Sequence, residues 1–243
     1  MQANGPPPHE TSLRDESAAP RMPFPLVRHL SERVTPMLVR LPFTPNQITF
    51  ASLLAGLAGA LCYLEGSRSW AIAGGVLFVV SYVLDNCDGE VARIKNMQSR
   101  FGKNLDDVAD WLIHAALFMA LGWAAERAFA EVLWFWLGVA AAASCTINYA
   151  VVRLLDRMRG AGKDADDATP ASDNGGPVYS PPPKAPKDLF VYVFREIFRA
   201  DFCFILLALS AFDLAWVLLP LGAVGAQVYW LTVFIKGARN YHV

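Results

Sequence analysis

Long apolar segments recur along this chain, and short stretches between them carry most of its charge. Several of the segments are long enough for a helix to cross the ~30 Å hydrocarbon core of a bilayer, which takes about 20 residues. The pattern predicts an all-α, polytopic membrane protein built as a bundle of six transmembrane helices. The predicted spans are 46–64, 70–84 continuing into the polar string that follows, 105–124, 132–152, 202–214 and 216–235.

Two different segments precede the first span. Residues 1–23 are rich in Pro, Glu, Ser and Ala and have no apolar signal-peptide core, so a disordered cytoplasmic tail is expected. In 24–43, apolar residues recur at helical spacing opposite Arg28, Arg33 and Arg40. That pattern predicts an amphipathic helix on the membrane surface, with a short soluble helix as the alternative.

A second break in the apolar pattern covers residues 160–187. This stretch contains Gly-Gly-Pro, Pro-Pro-Pro and several Asp, and little that could form a core. It predicts a flexible cytoplasmic linker between the fourth and fifth spans. No internal repeat is evident, so one membrane domain is expected to cover 24–243.

Composition and charge agree with a membrane protein and give it an orientation. The chain is 54% hydrophobic with a mean hydropathy of +0.31, more apolar than an ordinary soluble domain. With both termini in the cytoplasm, the outer loops hold only Arg68 and Arg127 of the 21 Lys and Arg. This asymmetry follows the positive-inside rule for the cytoplasmic membrane. The net charge of −1 gives no indication of nucleic-acid binding, and the 4 cysteines stand singly, outside any zinc or disulfide spacing.

The most informative polar string begins where the second span ends. The chain reads D-N-C-D-G-E-V-A-R from Asp85, and a second string, G-K-N-L-D-D-V-A-D, ends at Asp110. Each aspartate at a helix centre costs about 2.5–3.5 kcal/mol on insertion, so such residues indicate a functional site. Asp85 and Asp88 share one helix face, and Asp106 and Asp110 share another. Two carboxylate pairs that face each other across two helices predict a metal site.

This string resembles the signature of the CDP-alcohol phosphatidyltransferase family, D-x2-D-G-x2-A-R-x8-G-x3-D-x3-D. The resemblance implies a six-helix membrane bundle, usually a homodimer, whose active site opens to the cytoplasm. The family transfers a phosphate-linked group from a CDP-activated donor, commonly CDP-diacylglycerol, to a hydroxyl of an alcohol and releases CMP, as in phospholipid biosynthesis. Every fixed position of the signature is filled, by Asp85, Asp88, Gly89, Ala92, Arg93, Gly102, Asp106 and Asp110.

The resemblance also implies a role for each aspartate. Asp85, Asp88 and Asp106 would be ligands of two metal ions. Asp110 would help to bind metal and would act as general base toward the acceptor hydroxyl. Mg²⁺ is the expected ion and Mn²⁺ the second choice, because ligand sets made only of oxygen suit both.

Other signature residues would bind the donor. Gly89 and Gly102 belong to the signature, and a glycine lets a nucleotide come close to the backbone. Arg93 would offer its guanidinium to the donor phosphates. The string T-P-N-Q-I-T at the start of the first span resembles a family string near the nucleotide pocket, which implies contacts from Asn46 and Thr49. Helix capping alone would also explain this string.

The acceptor alcohol is less well defined. Asp-Val-Ala-Asp-Trp stands where choline- and ethanolamine-type relatives often have His-Gly-Cys-Asp-Ser, while other stretches resemble branches that use glycerophosphate or inositol phosphate. A phosphorylated polyol is expected, and its phosphate would need cationic partners. Each candidate partner could equally be a positive-inside anchor, and they are Arg153, Arg195, Arg199 and Arg239.

Two alternatives to an enzyme follow from the same residues. An ion- or proton-coupled transporter also keeps acids within helices, but it would distribute them through the depth of the membrane. Here they cluster at one end of two spans. A non-catalytic scaffold would lack a signature aspartate, and none is missing. Asp107 and Glu90 fit no fixed position and are expected to be bystanders.

Overall fold

The computed structural model describes residues 26–163 and 201–224, and all regular secondary structure within these two ranges is helical. The predicted all-α class is therefore confirmed. The predicted tail 1–23 and most of the predicted linker 160–187 lie outside the described residues. So do three of the candidate acceptor residues, Arg195, Arg199 and Arg239.

Seven helices occupy the described ranges. Helices α2 to α5 are long and apolar enough to cross a membrane, whereas α6 and α7 are shorter apolar helices. The described residues therefore contain four candidate spans, and part of the predicted sixth span lies outside them. The bounds are α1 Leu26–Arg40, α2 Pro45–Tyr63, α3 Arg68–Ile94, α4 Arg100–Phe129, α5 Val132–Lys163, α6 Phe202–Ala211 and α7 Ala215–Val224.

The helix bounds differ from the predicted spans mainly beside the motif. Helix α3 continues to Ile94 and α4 begins at Arg100, so both contain the charged residues that a hydropathy pattern excludes. Helix α5 runs on to Lys163, into the first residues of the predicted linker. The motif residues therefore lie within regular helices, at the polar ends of α3 and α4.

Local capping fixes where two of the helices start. The Thr44 side chain accepts a hydrogen bond from the Gln47 amide, and the Gln47 side chain accepts one from the Thr44 amide, so α2 opens with a capping box. Pro45 occupies the first turn, where its missing N–H is not needed. Ser99 caps α4 by accepting from the Gly102 amide at 2.9 Å. Both starts lie beside the motif.

Helices α2, α3 and α4 form the centre of the bundle; α5 packs on α4, and α1 and α6 pack on α3. Close backbone contact holds these helices together. A Cβ on Gly59 would lie 3.0 Å from the Gly74 carbonyl oxygen, and one on Gly122 would lie 2.8 Å from Gly138 Cα. Such close approach fixes the relative positions of the helices that carry the aspartates.

Helix α1 lies within the stretch predicted to be amphipathic. Its buried face contains two hydroxyl residues, Ser31 and Thr35, and packs on α3. Asp201, far along the chain, accepts from the amides of Leu26 at 2.9 Å and Val27 at 3.0 Å and so caps the start of α1. Leu26 is partly exposed, as is Met37. A position on the membrane surface stays a prediction.

Candidate metal centre and active site

Three of the four motif aspartates meet where α3 and α4 approach each other. Carboxylate oxygens of Asp85, Asp88 and Asp106 all lie within 4.8 Å of one another. Asp88 is buried and the other two are half-buried. We call these three residues the carboxylate cluster. The cluster joins the predicted pair on α3 to one residue, Asp106, of the predicted pair on α4.

The positive charge of Arg93 acts on Asp88, but one charge does not balance the three carboxylates of this cluster. No Lys, Arg or His among the described residues forms an ion pair with any of its three members. The Thr49 hydroxyl donates a hydrogen bond to Asp88 Oδ2, which orients that carboxylate without neutralising it. Like charges this close repel, and a divalent cation with oxygen ligands would remove the repulsion. The donor set therefore fits Mg²⁺ or Mn²⁺.

Asp110 lies outside the carboxylate cluster and makes other contacts. Its Oδ1 is 3.1 Å from Nδ1 of His114, one helical turn further along α4, and its backbone oxygen is 2.7 Å from the same nitrogen. The other ring nitrogen of His114, Nε2, lies 2.7 Å from the Tyr82 hydroxyl on α3. The fourth aspartate is thus not a member of the group of three, although its charge still acts on Asp85 and Asp106, and it contacts His114, which in turn contacts Tyr82. The sequence analysis selected neither His114 nor Tyr82.

A cavity of about 330 Å³ opens beside Asp110, between α4 and α5. The Asp110 side chain is 66% exposed toward this space. Trp111 and Tyr149 form part of its wall and stack with ring centroids 5.2 Å apart. Arg153 lines it too, and it is the one predicted acceptor residue that lies in the described ranges. The Asp110 carboxylate and the Arg153 guanidinium therefore line the same solvent-open cavity.

Arg153 is held in place by several contacts. Its Nη1 lies 2.5 Å from Asn104 Oδ1 and 3.7 Å from Asp107 Oδ2. Its guanidinium carbon is 5.4 Å from the centre of the Tyr149 ring. Asp107, which fits no signature position, thus contacts the side chain that brings positive charge to the cavity. This contact could not be read from the signature.

The predicted donor residues lie around the ends of three helices. A Cβ on Gly89 would contact Arg93 Nη1 at 3.5 Å, an ordinary distance, so packing within the protein does not require glycine there. A Cβ on Gly102 would lie 3.0 Å from Asn46 Oδ1, which brings the starts of α2 and α4 together. Thr49 reaches the carboxylate cluster through Asp88. Of the five predicted donor residues, three belong to the motif, and Asn46 and Thr49 on α2 contact motif residues.

Glu90 also has a contact that the signature does not indicate. Its carboxylate accepts from Ser31 Oγ at 2.9 Å and from Thr35 Oγ1 at 2.5 Å. Both hydroxyls lie on the buried face of α1. Glu90 therefore attaches α1 to the helix turn that carries Asp88 and Gly89.

Comparison with known proteins identifies one family and several curated relatives that are similar to this chain. A family model described as CDP-alcohol phosphatidyltransferase matches residues 43–235. Among similar curated proteins is the bifunctional IPC transferase and DIPP synthase of Thermococcus kodakarensis, 32% identical over 148 residues, which cover 60% of this chain and 32% of that protein.

Two further relatives differ from it in name. The phosphatidylinositol phosphate synthase of Corynebacterium glutamicum is 35% identical over 92 residues, 38% of this chain and 41% of that protein. The CDP-diacylglycerol–serine O-phosphatidyltransferase of Mycobacterium leprae is 39% identical over 72 residues, 30% of this chain and 23% of that protein. The chain spans less than half the length of these curated relatives.

Proposed function

The chain belongs to the CDP-alcohol phosphatidyltransferase family, and from that premise we propose that it is a metal-dependent transferase of phospholipid biosynthesis. It would move a phosphatidyl-type group from CDP-diacylglycerol, or a related CDP-alcohol, to a hydroxyl of a polar alcohol and release CMP. The observation that carries this proposal is the carboxylate cluster, whose three acids lie within 4.8 Å of one another and form no ion pair with a described Lys, Arg or His. Asp110, on the same helix as Asp106, lines an open cavity. The alternative, a coupled transporter, is disfavoured because the aspartates of α3 and α4 lie at one end of these two helices.

The donor would bind at the cluster. Mg²⁺ or Mn²⁺, held by Asp85, Asp88 and Asp106 with help from Asp110, would neutralise the donor pyrophosphate and the charge that develops on the leaving CMP. The Thr49 hydroxyl keeps the Asp88 carboxylate in one orientation.

Three further residues would contact the nucleotide itself. Arg93 is exposed next to Gly89 and can reach donor phosphates. Gly89 leaves room for the nucleotide above the backbone. Asn46 lies beside Gly102 in the first turn of α4 and would form part of the wall of the nucleotide site.

The acceptor would enter the cavity beside Asp110. The Asp110 carboxylate would take the proton of the acceptor hydroxyl, whose oxygen attacks phosphorus while the bond from phosphorus to CMP breaks. Because Arg153 lines the same cavity, a phosphorylated polyol is the acceptor class we favour. One relative is named for phosphatidylinositol phosphate and another for serine, so the acceptor varies among relatives. Three further arginines would assist from outside the described residues: Arg195, Arg199 and Arg239.

The orientation in the membrane follows from charge. Arg93 and Arg100 lie at the ends of α3 and α4 that carry the motif, whereas Arg68 and Arg127 lie at the opposite ends. The positive-inside rule then puts the motif and both termini on the cytoplasmic side of the cytoplasmic membrane. In this arrangement α6 and α7 belong to the fifth and sixth spans, α1 lies at the interface, and the protein forms a homodimer as the family resemblance implies.

A substrate panel tests the proposal. The purified protein would be incubated with CDP-diacylglycerol, Mg²⁺ and one alcohol at a time: serine, inositol, inositol phosphate or glycerol phosphate. CMP release with a phosphorylated polyol, absent from the Asp88→Asn variant, is the expected result. Release with an unphosphorylated alcohol alone would overturn the acceptor class. No release with any alcohol would overturn the transferase itself.

A further inference from the structure

A histidine lies inside the helix bundle between two hydrogen-bonding groups. The His114 side chain is 21% exposed, and its ring is 5.8 Å from that of Phe202 and 5.9 Å from that of Tyr82. Its two nitrogens face different partners: Nδ1 faces Asp110, and Nε2 faces the Tyr82 hydroxyl. The ring therefore connects α3 to the aspartate that lies outside the carboxylate cluster.

The hydrogen bonds define one neutral form of this ring. Nδ1 has two oxygen acceptors, the Asp110 carboxylate at 3.1 Å and the Asp110 carbonyl at 2.7 Å, so Nδ1 must carry the proton. Nε2 then has a lone pair, which accepts from the Tyr82 hydroxyl at 2.7 Å. Both ring nitrogens and the Tyr82 hydroxyl are then hydrogen-bonded while the imidazole stays neutral. Tyr82 thus selects the tautomer that donates to Asp110.

The hydrogen bond from His114 fixes the orientation of the Asp110 side chain. One of its oxygens accepts from His114, and its side chain remains 66% exposed toward the cavity between α4 and α5. An aspartate without that hydrogen bond could rotate about its side-chain bonds and join the other three carboxylates. A base is effective only when it lies within hydrogen-bond reach of the proton that it removes.

We propose that His114 is a positioning residue that holds the Asp110 carboxylate toward the acceptor cavity, and that Tyr82 holds His114 in the required tautomer. This inference rests on the proposed function, in which Asp110 takes the proton of the acceptor hydroxyl. The arrangement has the logic of an orienting group behind a catalytic base, with the order of carboxylate and imidazole reversed. It adds two residues outside the signature to the transfer reaction.

Two amide substitutions separate the two bonds of the ring. In His114→Asn the amide nitrogen lies about where Nδ1 was, so the donor to Asp110 is kept and the contact with Tyr82 is lost. In His114→Gln the amide lies further out, near the position of Nε2, so Asp110 loses its donor. We expect kcat for CMP release to fall roughly 100-fold in His114→Gln and less than about tenfold in His114→Asn. The donor KM should stay within about twofold of the parent value.

A matched pair of hydroxyl deletions tests the second residue. Tyr82→Phe should lower kcat by about tenfold and should have no further effect when combined with His114→Asn. Tyr63→Phe is the control, because the Tyr63 hydroxyl is also buried and lies 2.7 Å from Ser210 Oγ. It should lower thermal stability by a similar amount and leave kcat unchanged.

Mn²⁺ binding, followed by electron paramagnetic resonance, gives a readout that does not depend on turnover. The His114 variants should bind Mn²⁺ at least as tightly as the parent does, because the carboxylate cluster is intact and a released Asp110 can only add a ligand to it. Equal kcat losses in His114→Asn and His114→Gln, or losses that follow thermal stability alone, would overturn the positioning role in an otherwise active enzyme. A parent protein that releases no CMP would instead overturn the proposed function and, with it, this inference.

Discussion

The two ends of helix α4 are built in opposite ways. At one end, which we call the packed end, Gly122 lies against Gly138 of α5, and the rings of Phe129, Trp134 and Trp216 lie with centroids 5.1 to 5.5 Å apart. At the other, the site end, the carboxylate cluster brings three acids within 4.8 Å of one another. The packed end gains stability from dense contact, and the site end loses some through repulsion.

This difference indicates that stability and function occupy separate parts of one helix. Sequences depart from well-balanced local interactions mainly at functional sites, and other parts of the fold compensate for the loss. Substitutions at the packed end should therefore change the free energy of unfolding and leave turnover alone. Substitutions at the site end should lower turnover or substrate binding without lowering the free energy of unfolding.

The largest expected effect comes from the cluster itself. Asp88→Asn removes a proposed metal ligand and should lower CMP release by roughly 1,000-fold or more. The same variant should raise the melting temperature of metal-free protein, because one of the repelling charges is gone. Enzyme assays and thermal unfolding in EDTA measure the two effects. Full turnover of the parent in excess EDTA would contradict the metal requirement.

The next effect separates Asp110 from the cluster. Asp110→Asn keeps the shape of the side chain but removes the proposed base, so kcat should fall by roughly 100-fold or more. Donor KM should change less than in Asp88→Asn, because Asp110 lies outside the cluster. Steady-state kinetics with varied donor concentration measures both constants. Equal losses of donor binding in the two variants would show that the separate roles are wrong.

Those two predictions depend on different kinds of information. The spacing of the motif was sufficient to predict that residues from two helices meet, because helical periodicity alone puts Asp85 and Asp88 on one face. The spacing could not predict that Asp110 lies outside the carboxylate cluster, because its position depends on a contact with His114. The i, i+4 spacing of Asp110 and His114 is a signal that could have indicated the pair.

Other features could not be predicted for the same reason. The contact of Asp201 with the start of α1 joins residues 175 positions apart, and no local pattern encodes it. The bounds of α3 and α4 were underestimated because charged residues at a helix end lower the local hydropathy although the backbone stays helical. By contrast, the starts of the first and fourth spans were predicted well, since capping residues and long apolar runs mark them.

A pair of glycine substitutions compares the packed end of α4 with the turn of α3 beside the carboxylate cluster. Gly122→Ala puts a Cβ 2.8 Å from a backbone atom of α5 and should destabilise the protein by about 1–3 kcal/mol, with kcat unchanged below the melting transition. Gly89→Ala has room for the methyl group and should stabilise the helix by about 0.5–1 kcal/mol. It should nevertheless raise the donor KM, because the methyl group occupies space proposed for the nucleotide. Similar stability losses in both variants would contradict the comparison.

The smallest expected effect concerns the acceptor. Arg153→Gln should raise the KM of a phosphorylated acceptor about tenfold, because one charge-assisted hydrogen bond contributes about 1.5–3 kcal/mol. The donor KM should hardly change. Arg127→Gln is the matched control, since Arg127 is exposed near the packed end. An unchanged acceptor KM in Arg153→Gln would favour an uncharged alcohol.

The central claim is that the carboxylate cluster holds divalent cations. Titration of metal-free protein with Mn²⁺, followed by electron paramagnetic resonance, tests it most directly. We predict two ions bound per chain in the parent and weaker, incomplete binding in Asp88→Asn. Asp213→Asn, which changes a carboxylate paired with Arg68 outside the cluster, should bind as the parent does. Binding by Asp88→Asn equal to that of the parent, or no binding by the parent, would contradict the account.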